Sequence, residues 1–170
     1  GVLLNPGTGL AVSRLTCSDA DSRARLLGYF AGAAAAARAF DTAKPGATLF
    51  ACTGSTYLVG LEAEQKSFLP LGIISAAQAV LAALDALGAR RIALVSPYPA
   101  WLTEACVAFW TAQGREVATV RSPSGDRTDT RRIYALRSSD ALAEIERLRG
   151  AKVDCILVSG TGMPTLGALA

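Results

Sequence analysis

The chain has 170 residues, a net charge of +3 and 51% hydrophobic residues against 18% charged ones, which suits one folded domain and excludes a disordered chain. No apolar stretch reaches the roughly 20 residues of a membrane-spanning helix, and the arginines at positions 127, 131, 132 and 137 are not interleaved with aromatic residues. We therefore predict neither a membrane segment nor a nucleic-acid partner.

Histidine is absent, which excludes imidazole metal ligands and the Ser-His and Cys-His pairs of many enzymes. The four cysteines, at positions 17, 52, 106 and 155, show no CxxC spacing and no other short spacing typical of metal ligands. They are predicted to be free thiols in a reducing compartment, so we expect a cytoplasmic protein without a metal site.

The first predicted elements are a strand and a helix. Leu10 to Thr16 is predicted to be a strand. Only a hairpin could pair it with the apolar run at residues 2–5, unless chain is missing near residues 6–9. Ser18 to Asp21 supplies an N-cap for a helix that buries Leu26 and continues through a run of alanines.

The next apolar run ends at a thiol. Leu49 to Ala51 leads into Cys52, and the hydroxyl-bearing stretch Thr53 to Thr56 follows, as at a strand end that leads into a turn. If Ser55 or Thr56 caps a following helix, the free N–H groups of the turn point at Cys52. Such N–H groups favour a thiolate and also bind a carboxylate.

The remaining segments alternate between helices and strands. The predicted strands are Leu69 to Ile74, Ile92 to Ser96, Glu116 to Arg121 and Val153 to Val158. The first two predicted helices are a short, poor one over Tyr57 to Phe68 and one that a capping box at Ser75 to Gln78 opens. The next begins near Pro99 and has Cys106 on its core face, and the last is capped by Ser138 or Ser139. This alternation predicts an α/β fold with mainly parallel sheets.

Three predicted strand ends are followed by small or hydroxyl-bearing residues. They are the Cys52 loop, the stretch from Ser96 to Tyr98, and the stretch from Ser159 to Gly162. The carboxyl ends of parallel strands share one edge of the sheet, where open α/β folds bind ligands. We therefore expect these loops to converge on one small-molecule pocket.

Four stretches resemble the aspartate/glutamate racemase superfamily, and within it the branch of maleate cis-trans isomerases and arylmalonate decarboxylases. They are Ala51 to Ser55, Val95 to Pro99, Ser159 to Gly162 and Leu10 to Leu15. The resemblance implies two flavodoxin-like (Rossmann-like) halves related by a pseudo-twofold axis, with the active site between them. It also implies a homo-oligomer without a metal or an organic cofactor.

The expected halves are approximately residues 1–74 and 75–170, which together form one racemase-like α/β unit. Whole helices or loops of the superfamily have no counterpart at three places in the sequence. We therefore expect that chain is missing near residues 6–9, within 57–68 and after residue 170.

The resemblance, together with the chemistry of the side chains, gives each loop a role. Cys52 is expected to be the nucleophile or proton donor, and Tyr98 is expected to donate a hydrogen bond to an oxygen that gains charge in an enediolate-like intermediate. Hydroxyl and backbone donors for a substrate carboxylate are expected from Thr53, Gly54, Ser55, Gly160 and Thr161.

The loop from Ser159 to Gly162 departs from the superfamily pattern, because Gly160 stands where a second cysteine is normal. We expect a cofactor-independent, cysteine-dependent enzyme that acts on a small (di)carboxylate, with maleate isomerase-like chemistry as the first choice. Arylmalonate decarboxylase-like or amino-acid or hydantoin racemase-like chemistry is the alternative, and a non-catalytic carboxylate-binding module is a further one. Gly160→Cys is predicted to place a second thiol opposite Cys52.

Overall fold

A computed structural model describes residues 4–125 and 127–169. Its helices are α1 (Ser22–Arg38), α2 (Thr53–Val59), α3 (Leu61–Phe68), α4 (Ala76–Ala86), α5 (Ala100–Ala112), α6 (Ser138–Arg147) and α7 (Leu166–Leu169). Its strands are β1 (Thr48–Phe50), β2 (Ile73–Ser75), β3 (Arg91–Val95), β4 (Glu116–Arg121) and β5 (Cys155–Val158). Short 3₁₀ turns lie at Asp41–Ala43, Leu69–Leu71 and Thr130–Ala135.

The strands form two small parallel sheets. β1 pairs with β2, with Phe50 opposite Ser75, and β3 lies between β4 and β5. The predicted α/β fold with parallel sheets is therefore confirmed. The predicted boundary after residue 74 falls inside β2.

The predicted strand from Leu10 to Thr16 is wrong. These residues form neither a helix nor a strand, and the side chains of Leu10 and Val12 are 69% and 76% exposed. A β-prone sequence forms a strand only where a neighbouring strand and a covered face are present, and neither sheet includes this segment. Of the apolar run at residues 2–5, the first two positions lie outside the described residues.

The segment predicted as one poor helix from Tyr57 to Phe68 is divided between α2 and α3. Gly60 separates the two helices with φ at +82°, a left-handed conformation that a residue with a Cβ rarely adopts. The division lets α3 turn away from α2, so that Phe68 reaches the smaller sheet.

The start of α2 also differs from the prediction. Helix α2 begins at Thr53, directly after Cys52, which occupies the N-cap position without a side-chain capping bond. Ser55 and Thr56 therefore lie inside α2, where both are fully buried, and the prediction that one of them caps this helix is wrong.

The other helix starts were predicted more closely. The capping box at Ser75 is confirmed, because its Oγ accepts from the backbone N–H of Gln78 at 3.0 Å while the Gln78 Oε1 accepts from the backbone N–H of Ser75 at 3.4 Å. Helix α6 is capped one residue earlier than predicted. The N-cap is Arg137, whose backbone N–H donates to the Asp140 carboxylate at 2.7 Å, so neither Ser138 nor Ser139 is the cap.

The main core surrounds β3, of which Ile92 to Val95 are fully buried, and Cys106 packs there from α5 as predicted. A smaller cluster joins Phe50 and Phe68 to the middle of α1. Cys52 lies at the edge of both clusters, so the end of β1 is where the two cores meet. No described helix has the length and hydropathy needed to cross a membrane.

Candidate active site

Cys52 is held at the end of β1 by contacts with the first turn of α2. Its Sγ lies 3.1 Å from the Ser55 hydroxyl oxygen, and the Ser55 hydroxyl donates to the Leu26 carbonyl at 2.7 Å. Because the single Ser55 hydrogen is used by Leu26, the thiol of Cys52 is the donor in the contact with Ser55. This geometry suits a protonated Cys52.

The electrostatic environment of Cys52 also favours the protonated thiol. Burial raises the pKa of the Cys52 thiol, although the contact with the Ser55 side chain and the backbone N–H groups of Ser55 and Gly54 act to lower it. The sequence correctly predicted that backbone N–H groups point at the sulfur. The prediction of a favoured thiolate is wrong, because desolvation of the anion outweighs those hydrogen bonds.

Tyr98 meets the Cys52 segment from the other sheet. It follows β3, and its hydroxyl lies 2.8 Å from the Thr53 hydroxyl, with both side chains buried. Burial raises the pKa of Tyr98 far above its ordinary value, so the phenol stays neutral and remains a hydrogen-bond donor.

The third loop follows β5 and also contacts the Cys52 segment. The Thr161 hydroxyl donates to the Ala51 carbonyl oxygen at 3.0 Å. The backbone N–H groups of Gly160 and Thr161 make no hydrogen bond to any described residue, so both remain able to bind an anion.

Neighbouring side chains fill the space that a side chain on Gly160 would need. A Cβ at this position would lie 2.6 Å from Pro97 Cγ and 2.7 Å from Ile133 Cδ1, and the φ angle of +97° is strained for any other residue. The structure therefore offers no ready space for a second thiol at residue 160.

The segment that covers this loop is anchored by a buried ion pair. The Arg25 side chain is 3% exposed, and its Nη2 donates to the Asp129 carboxylate at 2.7 Å and to the Thr130 hydroxyl at 3.1 Å. These bonds fix the start of the 3₁₀ turn that carries Ile133 against Gly160. Sequence reasoning missed this pair, because its partners are more than 100 residues apart.

Arg127 is not among the predicted site residues, yet it contacts the tyrosine loop. Its Nη1 donates to the Tyr98 carbonyl oxygen at 3.4 Å, which brings a cation to that loop. The sequence held no signal for this contact, because the long polar loop has no periodicity that fixes the direction of a side chain.

The structure thus brings the predicted site residues together from both sheets. Hydrogen bonds join Thr53 to Tyr98 and Thr161 to Ala51, while Gly54 and Ser55 surround the sulfur of Cys52. Ser55 is fully buried with its hydroxyl occupied, so its contact is with Cys52 rather than with the open side of the site.

One surface groove lies apart from this site, and the described side chains offer no metal centre here. In the described ranges, no group of three or more Cys, Asp or Glu side chains is placed to hold a metal ion. A groove of 720 Å³ is lined by Tyr57 and by residues of α3 and α5, but by none of the predicted site residues.

Sequence comparison determines the family. A family model described as arylmalonate decarboxylase matches residues 7–170. The chain belongs to the arylmalonate decarboxylase family. A search of curated proteins found no match to the chain.

Solved structures of the same branch share the fold. One is the maleate isomerase Iso of Pseudomonas putida S16, solved with maleate in a variant that has alanine in place of one cysteine. It is 25% identical to this chain, with a TM-score of 0.77, and the match covers 86% of this chain and 62% of that chain. The maleate cis-trans isomerase of Nocardia farcinica bound to TRIS is 23% identical, with a TM-score of 0.75 over 84% of this chain and 62% of that chain.

A crystal structure of arylmalonate decarboxylase is 22% identical, with a TM-score of 0.69 over 83% of this chain and 64% of that chain. The predicted resemblance to this branch of the superfamily is therefore confirmed. The chain spans less than two thirds of the length of each of these three solved structures.

Proposed function

We propose that this family member acts in a cysteine-dependent, cofactor-independent reaction on a small dicarboxylate, and that the reaction is decarboxylation with Cys52 as the proton donor. The observation that carries the proposal is the half-buried thiol of Cys52, whose sulfur lies 3.1 Å from a Ser55 hydroxyl that donates to Leu26, so that the thiol is left as the donor. A thiol whose pKa is raised by desolvation is suited to giving a proton rather than to attacking as a thiolate.

The proposed reaction begins with the substrate anion held between the loops. The hydroxyl pair of Thr53 and Tyr98, which has one hydrogen left for a substrate oxygen, and the backbone N–H groups of Gly160 and Thr161 are the donors for its carboxylates. As the bond from the α-carbon to one carboxylate breaks, carbon dioxide departs and the electron pair passes into the remaining carboxylate as an enediolate. Tyr98 donates to the oxygen that gains charge, which lowers the barrier.

The second step uses the thiol. Cys52 transfers its proton to the α-carbon, the carboxylate of the product forms again, and a thiolate remains. The N–H groups of Gly54 and Ser55, which act to lower the pKa of Cys52, stabilise that thiolate until a proton from water restores the thiol. Because only one thiol takes part, the proton arrives on one face of the planar carbon.

Maleate isomerisation, which sequence analysis placed first, is the second candidate. The observation in its favour is the 25% identity to the maleate isomerase of Pseudomonas putida S16, whose structure contains maleate. In that reaction a thiolate at Cys52 would add to the double bond, rotation would follow, and elimination would give fumarate. Burial of Cys52 opposes the thiolate that this addition requires.

The remaining expectations from the sequence stay predictions. They are racemisation of an amino acid or a hydantoin, simple carboxylate binding without turnover, a cytoplasmic location and assembly into a homo-oligomer. The racemase route has the least support, because the space at Gly160 leaves no room for a second thiol.

A substrate panel tests the proposal. With a methyl-substituted arylmalonate, the full chain should release carbon dioxide and yield one enantiomer of the arylpropionate. Cys52→Ala should lower kcat by about 1,000-fold, since general acid catalysis contributes roughly 100- to 10,000-fold. Conversion of maleate to fumarate without decarboxylation would favour the isomerase, and saturable binding without turnover would favour the binding module.

A further inference from the structure

A second pair of hydroxyls connects the Cys52 helix to the loop after β5. Tyr57, on α2, has its hydroxyl oxygen 2.9 Å from the Ser159 Oγ, and both side chains are buried. Neither residue is among the predicted site residues. Tyr57 opens the segment predicted as a short, poor helix, and Ser159 opens the loop that contains Gly160.

The loop after β5 is thereby tied to the Cys52 segment at two points, one on each side of Gly160. Ser159 is bonded to Tyr57, and Thr161 donates to the Ala51 carbonyl oxygen at 3.0 Å. Gly160 lies between these two bonds, in a left-handed conformation and with its backbone N–H free of described partners. The direction of that N–H depends on how its two neighbours are held.

We propose that Tyr57 and Ser159 are positioning residues, whose hydrogen bond holds the Gly160 and Thr161 N–H groups at the distance from Cys52 that the substrate carboxylate requires. Neither side chain reaches the substrate, because both are buried and point at each other. The inference rests on the proposed function, since it assigns Gly160 and Thr161 to the carboxylate of that reaction.

The packing of Tyr57 separates this role from ordinary core packing. Its ring lies 5.2 Å from the Phe109 ring and 6.1 Å from the Trp110 ring, measured between centroids. Tyr57→Phe keeps these ring contacts and removes only the hydroxyl. Ser159 Oγ also lies 3.9 Å from the sulfur of Cys106, a contact that is too weak to replace its bond to the phenol.

The first experiment is hydrogen–deuterium exchange on the full chain, which does not depend on turnover. Tyr57→Phe and Ser159→Ala should each speed exchange of the amides at residues 159–163 by about tenfold, as expected for the loss of roughly one hydrogen bond, and leave α5 unchanged. The matched control is Ser67→Ala, which removes an exposed hydroxyl that donates only within α3, to Ala63 at 3.0 Å.

The second experiment is kinetic, with the decarboxylation substrate. Both variants should raise KM and lower kcat/KM by about tenfold, with little change in the pH at which Cys52 is alkylated. The double variant should lose little more than either single variant, because each single variant already breaks the Tyr57–Ser159 bond and Ser159→Ala removes in addition only the weak contact with Cys106. Additive losses, or a lower melting temperature with unchanged kinetics, would show a packing role and overturn the proposal.

The two experiments also separate this proposal from the proposed function. Wild-type protein that neither turns over nor binds dicarboxylates would contradict the proposed decarboxylation. If amide exchange at residues 159–163 is nevertheless faster in both variants, the positioning role of Tyr57 and Ser159 is still supported. Unchanged exchange in both variants overturns the positioning role whatever the wild-type activity is.

Discussion

The hydroxyls of Thr53 and Tyr98 lie 2.8 Å apart, and this contact joins the segment that carries Cys52 to the end of β3 in the other sheet. One of the two hydroxyls must donate to the other, which leaves a single hydrogen free for a substrate oxygen. Because burial raises the pKa of the phenol, Tyr98 is neutral around pH 7 and this hydrogen remains available there.

Removal of the phenol hydroxyl is therefore expected to act on the reaction more than on the fold. Tyr98→Phe should lower kcat by about 100-fold, as loss of one donor to a developing negative charge does in other enzymes. Steady-state kinetics with the decarboxylation substrate measure this. The control is Tyr134→Phe, because Tyr134 is 75% exposed and should keep its rate within about twofold. A Tyr98→Phe variant with the wild-type kcat would remove Tyr98 from the mechanism.

The raised pKa of Cys52 predicts slow alkylation at neutral pH. Since burial favours the protonated thiol, the rate of reaction with iodoacetamide should climb as the pH rises above the ordinary range for cysteine, and it should fall when a dicarboxylate is bound. Mass mapping of each cysteine at several pH values measures this. Cys106 should stay unlabelled, because it is fully buried and its pKa is raised to about 11.

A Cys52 alkylation rate that levels off below pH 8 would contradict this assignment. That outcome would instead indicate a stable thiolate and favour the addition chemistry of maleate isomerisation. The Cys52→Ser variant supplies the background labelling of the other thiols.

The closed space at Gly160 predicts that any side chain there is costly. Gly160→Ala should lower the free energy of unfolding by about 1–3 kcal/mol, because the new Cβ meets Pro97 and Ile133 and φ is left-handed. Urea unfolding measures the loss, with Gly9→Ala as the control, since nothing lies within 4 Å of a Cβ at residue 9. Equal stability of Gly160→Ala and wild type would contradict the described packing.

The same packing changes the expected result for a second thiol. Gly160→Cys alone should be destabilised and should gain little racemisation, in contrast to the expectation from the sequence. Addition of Ile133→Ala removes one of the two clashing groups, so the double variant should lose less stability than the sum of the losses of the two single variants.

Glu64 predicts a pH dependence of stability. Its fully buried carboxylate accepts hydrogen bonds from the hydroxyls of Thr56 and Ser75 and forms no salt bridge within the described residues. Burial raises the pKa of Glu64, so the folded state binds this proton more tightly than the unfolded state does. Stability from this group is therefore present at low pH and is lost as the pH rises through the folded-state pKa.

Glu64→Gln should flatten this part of the pH profile. Urea unfolding between about pH 4 and pH 8 is the measurement, and Glu62→Gln, at an exposed position of the same helix, is the control. Parallel profiles for wild type and Glu64→Gln would show that the carboxylate is ionised in both states and contradict the prediction.

The sequence predicted those features that depend on neighbours along the chain. The strand Glu116–Arg121 has the predicted bounds, the capping box at Ser75 forms, and Cys52 and Tyr98 each follow a strand. The loops after β3 and β5 could be placed at one edge because the order of strands and helices restricts the topology, whereas β1, which leads to Cys52, lies in the other sheet. These signals are local periodicity, capping chemistry and chain order, all of which can be read without knowing the distant contacts.

The tertiary structure alone decided the features that depend on distant neighbours. Leu10 to Thr16 has the composition of a strand and is not one, because no strand lies beside it. Cys52 holds its proton because packing against two cores removes water from the sulfur, and this desolvation exceeds the effect of the local N–H groups that the sequence revealed. The bond from Tyr57 to Ser159 spans 102 residues, and only the folding of both sheets brings its two hydroxyls together.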